Sequence, residues 1–518
     1  MKTHQKLTML LIVICYPAVL GKTTSAQDNR AQNSTSKSNF TRKAVGSIQE
    51  HSMAGEQMRA QLQTVTEDQP KAQSDLNILR NSQPKIGHEY VAPANLPPSV
   101  ESTSVSDQAS AYTGQLLTVE DLITIAESNN PTLQQASQHI NATMGKAIQA
   151  GLYPNPTFRY SAEQIGVRDT AGEFHGGLIS QRIVRGGKLQ LSRAKFLERV
   201  KIAEANALAQ QFRVCNDVRI TFYSSLALQH RIGIQRELVK SAEDSAVTKR
   251  EAFNMGQANA ADIRRSNVFL QKARLELLTV ENMQRQSIRN LSALIGSDIE
   301  GANLAGELES QPVSTDFQTL LAELWANSPE LIAARAKAQS DSYTVRREQA
   351  ERIIDITIEG GAGYNFEADQ TVASAGVSFP IQIFDRNQGT IQQAKADWVR
   401  QCAEIERVQG KLRRDLATEY EHYLTSAQHV EQYQRLILPE LKETYRLLLE
   451  SYKANRTDWN EVLLAQSDYF KSRNEYYDWL AKFRKSEVMI DGMMLSGGLM
   501  AAQGTTPGGH IDSVAKPR

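Results

Sequence analysis

Two patterns in this chain of 518 residues carry residue types that do chemistry in other settings. Glu419-x-x-His422 puts a carboxylate and an imidazole on one helical face, at the spacing of a di-iron ligand pair. The pattern lacks its second pair and the further carboxylates, and His429 is too far along the helix to share an ion. Gly186-Gly187-Lys188 ends like a phosphate loop but lacks the start of one, and reads better as a turn from strand into helix. Nowhere do a nucleophile, a base and an orienting residue stand together. The expectation is a protein that is not an enzyme, with no catalytic residue, cofactor or metal.

The spacing that does recur belongs to two turns. In Phe253–Ser266, FNMGQANAADIRRS, Gly256 sits where a helix should stop, because glycine accepts the left-handed conformation of a helix end. Asn259 can cap the next helix, with Asp262 reaching back in a capping box. About 200 residues on, Tyr452–Ala465, YKANRTDWNEVLLA, repeats the scheme with Asn455 for Gly256, Asp458 for Asn259 and Glu461 for Asp262. Matching helical hairpins imply a duplicated unit, and the exposed turns, Gly256-Gln257 and Asn455-Arg456, are where a partner would meet it. Capping alone would account for Asp262 and Glu461, and Tyr452 continues an apolar stripe, so packing explains it as well as gating does.

Balanced charge, 58 basic against 58 acidic residues, gives nucleic acid no purchase. The N-terminus reads as an export signal over 1–26: Lys2 and Lys6 precede the apolar run Leu7–Leu20, and Thr24-Ser25-Ala26 offers a cleavage site. Cys15 is the alternative, a lipidation site, though Ile14 is bulky for one. Residues 27–115, rich in Ser, Gln, Asn, Thr and Pro, read as a disordered extension with a short helix near Met58–Leu62. Beyond Ala26 no apolar run is long enough for a spanning helix. Cys215 and Cys402 read as small buried apolar residues.

Two units are expected, 116–296 and 329–495, with an equatorial segment 297–328 between them that has a helix near Phe317–Ala326, and a disordered tail 496–518. Asn129-Asn130-Pro131 and Asn327-Ser328-Pro329 each start a helix, the two ending near Tyr153 and Ile353. The period then changes to two in Phe158–Glu163, Gly176–Ile183, Ile354–Glu359 and Ala373–Phe379, which make hairpins turning near Asp169–Gly172 and Glu367–Gln370. Alternation of this kind suits membrane barrel strands or an ordinary antiparallel sheet with one wet face, and does not choose between them. Next comes an apolar stripe from Ile391 to Tyr452 at about 3.6 residues per step, a helix of ~90 Å that Pro439 should bend. A helix that long must lie beside others like it, most simply as the wall of a tube. Shorter helices, Asn259–Ile295 and Asp458–Met494, return from the tips.

In this order, the export signal, strand hairpins, long helices and capped tips resemble the TolC-like outer-membrane efflux proteins. The most specific pieces are Phe253-Asn254-Met255-Gly256 with Asp262-Ile263, and Tyr452 with Glu461-Val462-Leu463. Phe384-Asp385-Arg386-Asn387-Gln388-Gly389 and Tyr153-Pro154-Asn155-Pro156 resemble the heavy-metal branch, the CzcC and CusC type. The resemblance implies an α+β membrane protein, a trimeric outer-membrane β-barrel with four strands per chain, continued by a long periplasmic α-helical barrel. It implies a homotrimer in outer-membrane lipid that docks a periplasmic adaptor, and through it an inner-membrane pump, by Gly256, Gln257, Asn455 and Arg456. Tyr452, Asp458, Glu461 and Asp262 would then line the aperture. Thr457 stands where the family's Arg would be and Leu464 where its inner Asp would be, a departure from an ionic lock that Arg456 and Asp458 could rebuild. Lipid would face Phe158, Tyr160, Ile356, Ile358, Val377 and Phe379, with Arg159, Thr357 and Glu359 toward the lumen. The function implied is a passive exit duct for metal ions or small toxic compounds; the alternatives are a duct for type I protein secretion and a periplasmic scaffold outside the membrane.

Overall fold

A computed structural model describes residues 112, 114–166, 173–256, 258–310, 316–454 and 456–501. The export signal with Cys15, most of the N-terminal extension, the first hairpin turn, Gln257, Asn455 and the tail from 502 lie outside the described residues.

Helix-start chemistry punctuates the chain. Strand β1 (Leu116–Leu117) leads to Thr118, which forms a complete capping box with Asp121 and opens α1 (Val119–Asn129). Asn130 caps α2 (Pro131–Ala150), whose Pro131 lies in the first turn, where its missing N–H costs nothing. Strands β2 (Thr157–Glu163) and β3 (Phe174–Ile183) follow. Helix α3 (Lys188–Asn254) then runs unbroken for 67 residues, about 100 Å at 1.5 Å per residue. Gly186 and Gly187, at φ of +70° and +67°, make the strand-to-helix turn that leads into it. Helix α4 (Ala260–Ile295) returns, followed by strand β4 (Asn303–Leu304) and helix α5 (Phe317–Asn327). The same order then recurs: α6 (Pro329–Ala350), β5 (Ile356–Asn365), β6 (Gln370–Ser378), α7 (Gln388–Gln432), a π-helical turn (Tyr433–Ile437), α8 (Leu438–Lys453) and α9 (Trp459–Asp491).

Pro439 changes the long helix in its own way. The π turn lies just before it, and Leu438 N–H bonds to Tyr433 O, five residues back. The extra residue in that turn gives the backbone room to pass a ring with no N–H to donate.

Four strands form one antiparallel sheet in the order β2-β3-β5-β6. Its register pairs Phe158 with Ile179, Ile179 with Gly360, and Gly360 with Ala375. Strand β5 starts at Ile356 rather than Ile354, because Asp355 is engaged in ion pairs, and it runs on past Glu359 through Gly360, Gly361 and Gly363. Glycines have no side chain to alternate, so period-two reading stopped short. A Cβ at Gly363 would fall within about 2.3 Å of the Phe174 ring, so only glycine fits beside it. Phe379 lies one residue beyond the end of β6.

The segment between the two halves joins both cores. Strand β1 pairs in parallel with β4, and Leu304 sits with Leu122, Val214, Phe222, Leu291 and Leu480. Leu321 and Leu324 of α5 pack with Leu331, Val408, Leu412 and Leu416. The two free cysteines, Cys215 and Cys402, are half-buried rather than buried, and desolvation pushes both thiols up.

The end of the described chain is not the loose tail expected from its glycines. Helix α9 stops at Asp491, and Met493 and Met494, both at φ +59°, reverse the chain. Asn216 Nδ2 donates to Gly492 O and Leu495 O at 2.9 and 2.8 Å. The Asp217 carboxylate accepts the Gly497 and Gly498 N–H groups at 3.0 and 2.7 Å, while Thr132 and Gln210 donate to Gly498 O. A Cβ at Gly498 would lie 2.9 Å from Val214 Cα, so the close approach requires glycine. Residues 492–498 are thus strapped to the middle of α3. Asp217→Ala leaves two amides without their acceptor, at a cost of about 1.5–3 kcal/mol. Limited proteolysis is expected to remove the C-terminal segment faster, with helical circular dichroism unchanged; equal cleavage rates would mean that the strap does not hold.

Candidate functional site

The first helical tip is built as its residue types require. Gly256 has φ +74°, and its N–H bonds to Phe253 O at 2.9 Å. Nothing lies within 4 Å of where a Cβ would be, so the requirement there is the dihedral angle and not space. Asn259 Oδ1 accepts the Asp262 N–H at 2.9 Å, and Asp262 Oδ2 accepts the Asn259 N–H at 3.4 Å. Both halves of the capping box are therefore present. Asp262 also stands 3.9 Å from Arg265 on its own helix.

The second tip departs from the box. Asp458 Oδ1 accepts the Trp459 N–H at 2.8 Å, and its Oδ2 accepts Asn460 Nδ2 at 2.8 Å. Glu461 does not reach back to the cap; its carboxylate takes the Thr457 hydroxyl instead. Thr457 thus occupies the acid that the box would have used. The Asp458 carboxylate is committed to Trp459 and Asn460, and among the described residues it makes no ion pair with exposed Arg456.

Tyr452 is held by a residue that the sequence reading missed. Lys249, near the end of α3, is buried, and its Nζ donates to Tyr452 Oη at 2.6 Å. The same ammonium lies 4.5 Å from the Tyr452 ring centre and 4.6 Å from that of Trp459, and the two rings are 4.9 Å apart. One cation between two aromatic faces joins the first hairpin to the second. A lysine on a long mixed-charge helix reads as solvated, and the one available signal was the pair Tyr452 and Trp459 flanking a tight turn. Gln466 Nε2 bonds Ser241 Oγ at 2.7 Å and Arg231 pairs with Asp478 at 2.7 Å, so α3 and α9 stay joined toward the middle of the molecule. Among the described residues no hydrogen bond or ion pair joins Asp262 to Tyr452 or to Glu461, so the structure does not gather these acids into one cluster.

At the sheet, cross-strand pairing puts Phe158, Tyr160, Ile356, Ile358 and Val377 on one face. Ile179 and Ile183, not expected there, share that face, since they oppose Phe158 and Ile356. Ile179 was hidden because its strand neighbours Gly176 and Gly177 blur the alternation. Arg159, Thr357 and Glu359 fall on the other face with Ser161, Ser180 and Ser374. Below the sheet Asp355 is a hub: it takes Arg182 at 2.7 Å, Lys188 at 3.0 Å and the Arg185 N–H at 3.0 Å. Burial alone would raise its carboxyl, but these three donors together hold it below the ordinary value. Of the other candidate motif, Glu419 accepts Ser486 and His429 stacks on Trp479 with ring centres 3.9 Å apart.

Known proteins share this arrangement. The chain is 26% identical over 381 residues to the cobalt-zinc-cadmium resistance protein CzcC of Cupriavidus metallidurans, an alignment covering 72% of this chain and 89% of that one. It is 21% identical over 393 residues to the toluene efflux pump outer membrane protein TtgF of Pseudomonas putida, covering 72% and 82%. The crystal structure of CusC superposes with a TM-score of 0.63 at 16% identity, over 80% of this chain and all of that one, which shows the fold. The family model for outer membrane efflux proteins matches residues 122–297 and again 320–494, one match over each helix–strand–helix half. With both halves accounted for, the chain belongs to the outer membrane efflux protein family.

Proposed function

We propose that the chain is the exit duct of a tripartite efflux system, three copies closing one barrel in the outer membrane and one helical tunnel beneath it. The observation that carries this reading is the four-stranded sheet with one apolar face and two unpaired edges, β2 and β6. In hydrocarbon those edges need partners, and an even number of antiparallel strands lets β6 of one copy pair antiparallel with β2 of the next. Two copies would give 2 × 4 strands, an interior filled by side chains; three give 3 × 4 and leave a lumen. No helix among the described residues is long and apolar enough to cross a membrane, which says nothing against a barrel. Helices of about 100 Å reach well past a hydrocarbon layer of about 30 Å and suit a periplasmic tunnel.

In this reading Phe158, Tyr160, Ile179, Ile356, Ile358, Val377 and Phe379 meet lipid. Gly256, Gln257, Asn455 and Arg456 meet a periplasmic adaptor, which links the duct to an inner-membrane pump. Tyr452, clasped by Lys249, takes the leading place at the aperture, with Asp262, Asp458 and Glu461 around it. The cargo is metal ions or small toxic compounds, in line with what the named relatives resist or expel. Loss of export with an efflux pump deleted, against loss of a secreted protein, separates this from the protein-secretion duct. Soluble protein after lysis would point to the periplasmic scaffold.

Ile179 lies at mid-strand, so Ile179→Arg is expected to cost about 2–4 kcal/mol per chain and to deplete the assembled trimer. Ser180→Arg, on the opposite face, is expected to assemble normally, as read by mass measurement in detergent. A stable monomer for the unaltered protein overturns the trimer, and the reverse order of the two variants overturns the facing.

At the tips, Gly256→Val forces a branched side chain into a left-handed dihedral. Normal outer-membrane abundance with lost export and weaker adaptor crosslinking is expected; full export removes that turn from docking. Lys249→Met is expected to keep the trimer and raise the conductance of the isolated channel. Unchanged conductance would mean that the clasp does not hold the aperture.

A further inference from the structure

Four junctions join strands to helices, and they lie together. Gln181 Nε2 donates to Pro154 O at 3.0 Å, Gln382 Nε2 to Glu351 O at 3.1 Å, and Asn387 Nδ2 to Glu348 O at 2.8 Å. Gly186 packs on Ile353 so closely that a Cβ there would be 2.8 Å from Cδ1. This collar displays two features that its own bonding leaves unused. Phe379, Ile381 and Phe384, in the run from β6 to α7, are 54, 77 and 89% exposed. Phe379 and Ile381 keep the odd-numbered alternation of Val377, which lies on the apolar face of the sheet. Arg185, Arg352 and Arg386 are also exposed, one at each of three junctions. No carboxylate among the described residues pairs with any of the three. Asp355 is engaged by Arg182 and Lys188, Glu351 by Lys188 and Arg347, and Asp385 accepts the Asn387 N–H.

We propose that this collar binds the anionic headgroups of the periplasmic leaflet. The three arginines meet lipid phosphates while Phe379, Ile381 and Phe384 enter the acyl boundary beside them. The proposal rests on the membrane reading above. Guanidinium groups bond phosphate oxygens in pairs, and apolar rings next to cations suit the boundary between headgroup and acyl chain. A second copy is the other candidate occupant, but it offers the arginines no opposite charge. The strand that would lie beside β6 is β2, and the run leading into it, Gly151-Leu152-Tyr153-Pro154-Asn155-Pro156, contains no acid to meet an arginine.

The test uses the full-length protein with the triple variant Arg185→Gln, Arg352→Gln, Arg386→Gln. Each is equilibrated with equal phosphatidylglycerol and phosphatidylcholine, and retained lipid is counted by native mass spectrometry. Each is also inserted into pure phosphatidylcholine vesicles. The unaltered protein is expected to prefer phosphatidylglycerol by about fivefold per arginine, less at high salt. The variant is expected to retain both lipids equally while entering phosphatidylcholine vesicles at the same oligomeric mass. Equal retention by the unaltered protein, or preference persisting in the variant, overturns the proposal. Phe384→Ser supplies a second readout: a fall in oligomeric mass with lipid preference intact would assign the strip to a neighbouring copy and overturn it too. If the unaltered protein does not enter the vesicles and retains neither lipid, the membrane reading fails first and the collar proposal falls with it, a result unlike lost preference.

Discussion

Among the described residues, the sheet of four strands leaves one row of peptide groups bare on β2 and another on β6. Water could satisfy them, but hydrocarbon cannot. Under the membrane reading that deficit determines the rest. It requires copies of the chain, sets the antiparallel pairing of β6 with the next copy's β2, and through the strand–helix junctions places every long helix beside an equivalent one. Helix α8 fits this logic: it is amphipathic along its length, yet no residue in it is buried within the single chain. Its apolar stripe, Leu438, Leu441, Tyr445 and Leu448, is only half covered within the chain, which under that reading leaves room for a neighbouring helix.

Force can pass between sheet and helices only through the junctions, and Asp355 is where three of their elements meet. It is bonded to the end of β3 through Arg182, to the turn through the Arg185 N–H, and to the first turn of α3 through Lys188. Because its carboxyl is held below the ordinary value, its contribution to stability is complete above the unfolded carboxylate range. It is lost only as pH falls through the lower folded value. The equator has a second fastening, the strap at Asn216 and Asp217. From the strap toward the tip, α3 and α9 first share an apolar cluster, Val218, Phe222 and Leu226 with Tyr476 and Leu480, and are then joined by the polar pairs Arg231–Asp478 and Ser241–Gln466.

Periodicity and caps made much of this legible. The change from a period of 3.6 to a period of two located the hairpins, and Gly256 and Asn259 located the first tip, because each depends on neighbours in sequence. What stayed hidden depends on neighbours in space. Gly360, Gly361 and Gly363 extend β5 through a region without side chains to alternate. Gly497 and Gly498 look like a loose tail, but their small size lets the backbone reach Asp217 and Val214. Glu461 has the right spacing for a capping box, yet Thr457 offers a hydroxyl first. Lys249 looks solvated until two rings about 200 residues away close over it.

Under the duct reading, that lysine changes what kind of closure the tip can have. Exposed ion pairs in saline lose much of their attraction beyond a Debye length of about 8 Å, and most contribute under 1 kcal/mol. The resemblance implies an arginine and an inner aspartate where Thr457 and Leu464 stand, so under the duct reading a lock built from those two is missing. Lys249 is buried, and its ammonium is held by one hydroxyl and two ring faces rather than by a carboxylate. Under the duct reading, a closure of that kind has no exposed ion pair for salt to screen. It is released by moving the helices apart, since the rings belong to one hairpin and the lysine to the other. In the duct proposed here, that favours opening by a partner pulling on the tips over opening by a change in ionic conditions.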